Sequence, residues 1–128
     1  MSTISKPRLK TYKAEGVIRP FRFVKFGTAE GQMLECDANE KAIGVFQGSV
    51  ALAANDFGEV ALPGGGGLIQ ISETVTRGKR LTPTADGEGE VVDAAGEEYG
   101  AVAYQDGSAN DVIYAEICTS TESVASDA

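Results

Sequence analysis

The second half of this chain echoes its first. Arg19-Pro-Phe-Arg-Phe-Val-Lys-Phe, Gly31-Gln-Met-Leu-Glu-Cys-Asp and Gly44-Val-Phe return, degenerately, as Arg77-Gly-Lys-Arg-Leu-Thr-Pro-Thr, Gly89-Glu-Val-Val-Asp-Ala-Ala and Gly100-Ala-Val. Ala54-Asn55-Asp56 then returns as Ala109-Asn110-Asp111. The spacing between partners drifts from 58 to 56 to 55 residues, the pattern of a duplicated unit that has lost loop residues. A unit of short elements used twice describes a scaffold, with repeats placed at about 19–62 and 77–117.

The elements are strands. Sixteen glycines, four prolines and no tryptophan, with much Val, Ala, Thr and Ile, favour short strands joined by tight turns. Strands are expected at 9–14, 21–26, 32–36, 42–46, 59–62, 68–71, 81–82, 90–92, 100–104 and 111–117, with turn signals every 8–12 residues between them. Phe21 and Phe23 alternate with Arg22, Val24 and Phe26, so both faces of that strand carry apolar groups and it is sandwiched. Val50-Ala-Leu-Ala-Ala is the one stretch with helical propensity, and a brief helix is an option at Ser49–Ala54. The expected fold is all-β, a compact antiparallel β-barrel or sandwich of about 105 residues (14–118). An extended basic N-terminal arm (1–13) precedes it and a polar, disordered C-terminal tail (119–128) follows.

Charge is unevenly spread. Residues 1–25 hold Lys6, Arg8, Lys10, Lys13, Arg19, Arg22 and Lys25 against Glu15, a net +6, which leaves −14 on the rest of a chain whose total is −8. A basic head on an acidic body fits a segment that meets an acidic protein surface; the alternative is ordinary solvated charge near a terminus. Nucleic acid is a poor partner, because the acidic body opposes a phosphate backbone and no nucleic-acid motif accompanies the lysines. No apolar run is long enough to span a membrane, and the first ten residues lack the apolar segment of a signal peptide.

Chemistry is sparsely represented. The chain has no histidine, which removes the usual general base and the commonest metal ligand. Gly64-Gly65-Gly66-Gly67 lacks the ending of a phosphate loop and reads as a flexible connection. Asp86, Glu88, Glu90, Asp93, Glu97 and Glu98 do not reproduce a calcium loop and read as a solvated acidic turn. Ser72, Thr74 and Thr76 have no neighbouring base. Cys36 and Cys118 stand in apolar strands without CxxC spacing, which favours buried free thiols over a disulfide or ligand pair. No cofactor, metal or catalytic residue is expected.

The run Gly16-Val-Ile, Phe23-Val, Gly31-Gln-Met-Leu-Glu-Cys-Asp, Ala42-Ile43-Gly44-Val45-Phe46, Gly58-Glu-Val-Ala-Leu-Pro-Gly-Gly, Val75-Thr-Arg-Gly-Lys, Gly100-Ala-Val-Ala and a final Val-Ile-Tyr-Ala-Glu-Ile resembles the capsid cement, or head decoration, proteins of tailed bacteriophages. The likeness covers residues 14–118 and lies in rhythm and glycine placement. It implies a non-enzymatic virion protein on the outer capsid surface, made in the host cytoplasm. Such a protein forms homotrimers at threefold or quasi-threefold positions and braces the major capsid protein, with no nucleic acid or membrane partner. Under that reading Lys6, Arg8, Leu9, Lys10, Tyr12 and Lys13 dock on the shell, Arg19, Phe21 and Arg22 extend the contact, and deletion of residues 2–13 leaves the body folded. Two rivals are a glycan- or host-binding β module, whose aromatic platform has to come from Tyr12, Tyr99, Tyr104 and Tyr114, and a small carboxylate-based barrel enzyme.

Overall fold

The computed structural model describes residues 8–94 and 97–121, and it is all-β. Strands β1 (Leu9–Ala14), β2 (Phe23–Phe26), β3 (Gln32–Glu35), β4 (Gly44–Phe46) and β5 (Phe57–Ala61) close into a barrel in the order β1-β3-β2-β4-β5. Strands β6 (Gly66–Gln70), β7 (Arg80–Pro83), β8 (Gly89–Val91), β9 (Glu98–Ala103) and β10 (Val112–Thr121) form a second sheet in the order β6-β10-β9-β7-β8. In both, the sequence of neighbours is first, fifth, fourth, second, third strand. The first barrel closes through a parallel β1–β3 ladder (Ala14 beside Met33), and the second has the corresponding parallel bridge, Ile71 beside Gly89.

The duplication is therefore one of topology as well as of sequence, and the ladders fix its register. Val24 pairs with Gly44 as Leu81 pairs with Ala101; Phe26 pairs with Met33 as Pro83 pairs with Gly89; Lys13 pairs with Phe57 as Gln70 pairs with Val112. Outside the strands the bridge Ile18–Leu52 recurs as Val75–Gly107. Asn55 and Asn110 both take positive φ, 77° and 74°, in turns where Asp56 and Asp111 accept from the N–H of Ala53 and Ser108 at 2.9 and 2.8 Å. Each repeat thus begins one strand earlier than sequence spacing suggests, at β1 and β6. Gly31 corresponds to Gly87 (φ 79° and 77°) rather than to Gly89, because the hydrogen-bonded partner, and not glycine spacing, sets the alignment.

Equivalent positions fill the two interiors. Tyr12, Ala14, Ile18, Val24, Phe46 and Val60 are buried in the first, and Ile69, Ile71, Val75, Leu81, Ala103 and Ala115 in the second. Side-chain volume is exchanged between neighbours. Phe46 lies over Gly58, where an added methyl would come within 2.6 Å of the ring, whereas the second unit has Ala103 in place of Phe46 and buried Ile113 in place of Gly58. Close packing permits such swaps when the total is kept.

The halves dock through unlike faces. Phe23, Val45 and Ala61 alternate with the inward Val24, Phe46 and Val60, so they point out of the first barrel, yet all are fully buried in the cluster formed with the second sheet. The Phe23 ring occupies the notch at Gly100, 2.6 Å from where a methyl there would sit. The counterparts of Phe23 and Ala61 in the second unit are Arg80 and Glu116, so this apolar face is made once. Gln47 completes the junction, its side chain accepting from Leu68 N–H at 3.0 Å and donating to Leu68 O at 2.9 Å.

Several expectations change. Ser49–Ala54 is not helical: Leu52 is drawn into the bridge with Ile18, which needs extended backbone. The glycine run is not a loose connection, since Gly66 and Gly67 pair with Glu116 and Ala115 in β6 and are buried. Among the described residues the pairing is antiparallel except where β1 meets β3 and at the single bridge Ile71–Gly89. Thr119–Thr121, expected in the tail, continue β10 opposite β9, while residues 1–7 and 122–128 lie outside the described residues. Residues 9–13, expected in an arm ahead of the domain, are a barrel stave: β1 pairs with β5 from Leu9–Ala61 to Lys13–Phe57 and with β3 at Lys13–Gln32. Removing residues 2–13 exposes two strand edges and withdraws Tyr12 from the core. The truncated chain is therefore expected to lose its cooperative thermal transition by circular dichroism; an unchanged melt would refute this role for β1.

Candidate functional site

The nine residues expected to form a contact surface separate into three groups. Lys6 lies outside the described residues. Arg8, Leu9 and Lys10 are exposed at the leading end of β1. Arg8 donates from Nη1 to Pro63 O at 3.0 Å, and the Lys10 ammonium stands 5.5 Å from the Tyr12 ring centre. Tyr12 alternates inward and is buried, and Lys13 is half-buried between β5 and β3. Tyr12 is thus a core residue and is corrected as a contact candidate.

Arg19, Phe21 and Arg22 belong to the junction between the two units. Arg19 holds Glu35 with Nε and Nη2, at 3.1 and 2.8 Å, and reaches the Asp86 carbonyl at 3.2 Å and its carboxylate at 3.4 Å. The hydrogen bond that Arg19 donates to Glu35 raises the arginine's pKa further above its ordinary value. Arg22 is buried, donates to Asp86 O at 2.9 Å and lies 3.9 Å from Glu88, which also accepts from Gln70 at 3.1 Å. Such a guanidinium is unavailable to a partner. Phe21 takes φ 56° where its counterpart is Gly78 at 92°, and its carbonyl accepts from Gln70 N–H at 2.9 Å. An aromatic residue in the left-handed region stores backbone strain, which the surrounding junction must hold in place. Three cations counted in the basic head, Arg19, Arg22 and Lys25, are thus matched within the chain; Lys25 binds Glu40 at 2.7 Å, and this pairing raises the lysine's pKa and lowers that of Glu40.

The acidic turn is also structural. Asp86 and Glu88 receive the arginines, and Glu97 accepts the N–H of Asp93 at 2.8 Å and of Ala94 at 3.2 Å. Glu90 is the exception in charge behaviour, its pKa pushed up first by burial and then by Glu73, Glu97 and Asp93. Among the described residues no group of three His, Cys, Asp or Glu side chains is placed to hold a metal ion. Ser72 donates to Gly89 O at 3.4 Å, and Glu73 accepts Val91 N–H at 2.8 Å, covering the seam between β6 and β8. Cys36 and Cys118 are free thiols, Cys36 buried and Cys118 half-buried.

What spacing did not show is where apolar surface stays in water. Val17, Phe26, Val50 and Phe57 are each about two-thirds exposed or more (65, 68, 75 and 67%), all in the first unit. Of the four tyrosines, Tyr12 is buried and Tyr99 is half-buried with the Arg80 guanidinium 5.5 Å from its ring centre. Tyr104 and Tyr114 are exposed.

No family model and no curated protein matches the chain. Among solved structures it is similar to the N base of the head fiber gp8.5 of bacteriophage phi29, with a TM-score of 0.69 over 86% of this chain and 92% of that one, at 14% identity. The two share a fold over most of their lengths.

Two outcomes follow from the geometry. Arg22→Ala leaves the Asp86 carbonyl without its guanidinium and the Glu88 carboxylate with Gln70 alone, which is expected to cost on the order of 1–3 kcal/mol in urea unfolding; a loss within error of zero contradicts the structural role. Burial pushes the Cys36 thiol up to about 12, so the folded chain keeps a proton that the unfolded chain releases near 9.0. Stability present below pH 9 is therefore expected to fall as pH rises toward 12, and Cys36→Ala to flatten that part of the profile; an equal slope in the variant would contradict it.

Proposed function

We propose that this chain is a non-enzymatic structural protein of a bacteriophage head, bound to the outer surface of the major capsid protein lattice as trimers. The observation that carries this reading is the likeness in fold, over 86% of this chain, to the N base of a phage head fiber. A matched fold at 14% identity leaves function to the surface, and the surface agrees: the polar clusters at Arg19 and Arg22 tie the barrel to the second sheet. Small footprints repeated over a lattice gain strength from multivalency, which suits a small subunit of two joined β units.

The contact surface under this reading is the leading end of β1, where Arg8, Leu9 and Lys10 are exposed, together with Lys6 ahead of it. Arg19 and Arg22 fix the junction between the two units and are not part of that surface. Because the contact relies on exposed cations, its strength falls with salt.

The test is sedimentation of the purified chain with expanded phage heads. Co-sedimentation at a stoichiometry of three per site is expected, and a triple variant Arg8→Glu, Leu9→Asp, Lys10→Glu is expected to stay in the supernatant with an unchanged melting temperature. A wild-type chain that never co-sediments with heads contradicts the reading; a triple variant that still does so moves the contact elsewhere on the barrels.

A further inference from the structure

The internal duplication provides a control for deciding which surface residues the fold requires. Tyr104 N–H donates to Tyr114 O at 2.9 Å across β9 and β10, and Tyr114 stands opposite Leu68 on β6, so Leu68, Tyr114 and Tyr104 form one row across three strands. Their chain neighbours Ala103, Ile113, Ala115 and Ile69 are buried, so the row faces outward. Tyr104 and Tyr114 are 39% and 47% exposed. At the equivalent positions of the first unit the same backbone carries Gln47, Glu59 and Thr11. The fold is built there with polar residues, so packing does not demand the tyrosines.

Beside this row the second unit is also cut back. The connection from Tyr104 to Gly107 is two residues shorter than its counterpart from Gln47 to Leu52, and the space beside it is an open depression of about 420 Å³ lined by Arg77, Gly78, Ala103 and Tyr104. A second depression of about 470 Å³ adjoins it, with Thr74, Thr76, Asp106, Ser108 and Asp111 among its walls. Asp106 accepts Arg77 N–H at 2.8 Å and Asp111 accepts Ser108 N–H at 2.8 Å, so each carboxylate is held in place by one of its oxygens. The first unit has apolar Val17 where this rim has Thr74.

We propose that the Tyr104–Tyr114 row and the adjoining depression bind a neutral oligosaccharide. Sugar rings combine an apolar C–H face, which stacks on an aromatic ring, with a rim of hydroxyls that both donate and accept. The site offers these features side by side: two phenol rings in one row across the sheet, then hydroxyls, fixed carboxylates and a guanidinium. Asp106 and Asp111 disfavour an acidic sugar. A protein partner fits less well, since a stable interface buries roughly 800 Å² a side around an apolar centre, and this row is three residues wide with a polar border. The site does not depend on the chain's place on a phage head.

The test is the intact chain on a printed array of neutral bacterial-surface and mucin-type oligosaccharides, followed by calorimetric titration of the best-bound sugar. Tyr104→Ala and Tyr114→Ala are each expected to weaken binding about tenfold, as loss of a central aromatic contact does, while Tyr104→Phe and the first-unit control Glu59→Ala stay within about twofold of wild type. Silence across the array overturns the proposal, and so does a bound sugar whose affinity survives the double alanine variant. If the array is silent and the double variant instead abolishes co-sedimentation with heads, the row is a protein contact and the sugar assignment falls while the head reading stands.

Discussion

The constraint on which the rest of this structure depends is that the first unit is closed into a barrel by its own first strand, a closure the second unit approaches with the single bridge Ile71–Gly89. β1 lies between β3, to which it runs parallel, and β5, to which it runs antiparallel, so the opening residues of the unit complete a ring by pairing with residues 19 to 52 positions away. Closure removes open strand edges, the feature by which small β-proteins aggregate. It also forces an inside and an outside on every strand, and Tyr12, Val24, Phe46 and Val60 obey that alternation as Ile69, Leu81, Ala103 and Ala115 do. The strand order is robust enough to be made twice with different side chains.

Two copies of one unit become a single body because they are not equivalent at the surface where they meet. Phe23, Val45 and Ala61 give the first unit a second apolar face, and Gly100 gives the second unit a notch to receive it. Arg80 and Glu116 at the corresponding places of the second unit make that face more polar. Around the apolar contact the arginines Arg19 and Arg22 bridge to Asp86 and Glu88, so charge that reads as a basic leader in the sequence is spent on internal register. Ion pairs of this kind contribute less by attraction than by the cost of leaving either partner alone.

How much of this was legible in the sequence divides along the range of the interactions. Strand positions follow local alternation and turn residues, and they were readable: all ten expected strand segments overlap the observed ones and start within two residues of them. The Ala-Asn-Asp turns were readable too, since Asn tolerates positive φ and Asp caps the N–H three residues before it. The role of β1 was not, because Leu9 meets Ala61 across more than fifty residues and nothing local distinguishes a barrel stave from a free arm. For the same reason Arg22 reads as surface charge until Asp86 and Glu88 are seen beside it. The helical propensity of Val50–Ala54 is real but weak, and the long-range bridge between Ile18 and Leu52 overrides it. Of the candidate site, the tyrosines were visible as residue types; that two of them share one open row depends on the pairing of β9 with β10.

The account rests on β1 being as deeply committed to the fold as the second unit's own strands. Native-state hydrogen exchange measures this directly, through the amides of Lys13 and Ala14, which donate to Gly31 O at 2.9 Å and Asp56 O at 2.7 Å, compared with that of Ile71, which donates to Asp111 O at 2.9 Å. Exchange of all three through one global opening, with the same free energy and the same denaturant dependence, is the predicted result. Exchange of Lys13 and Ala14 through a separate, low-energy local opening would show a detachable leader and contradict it.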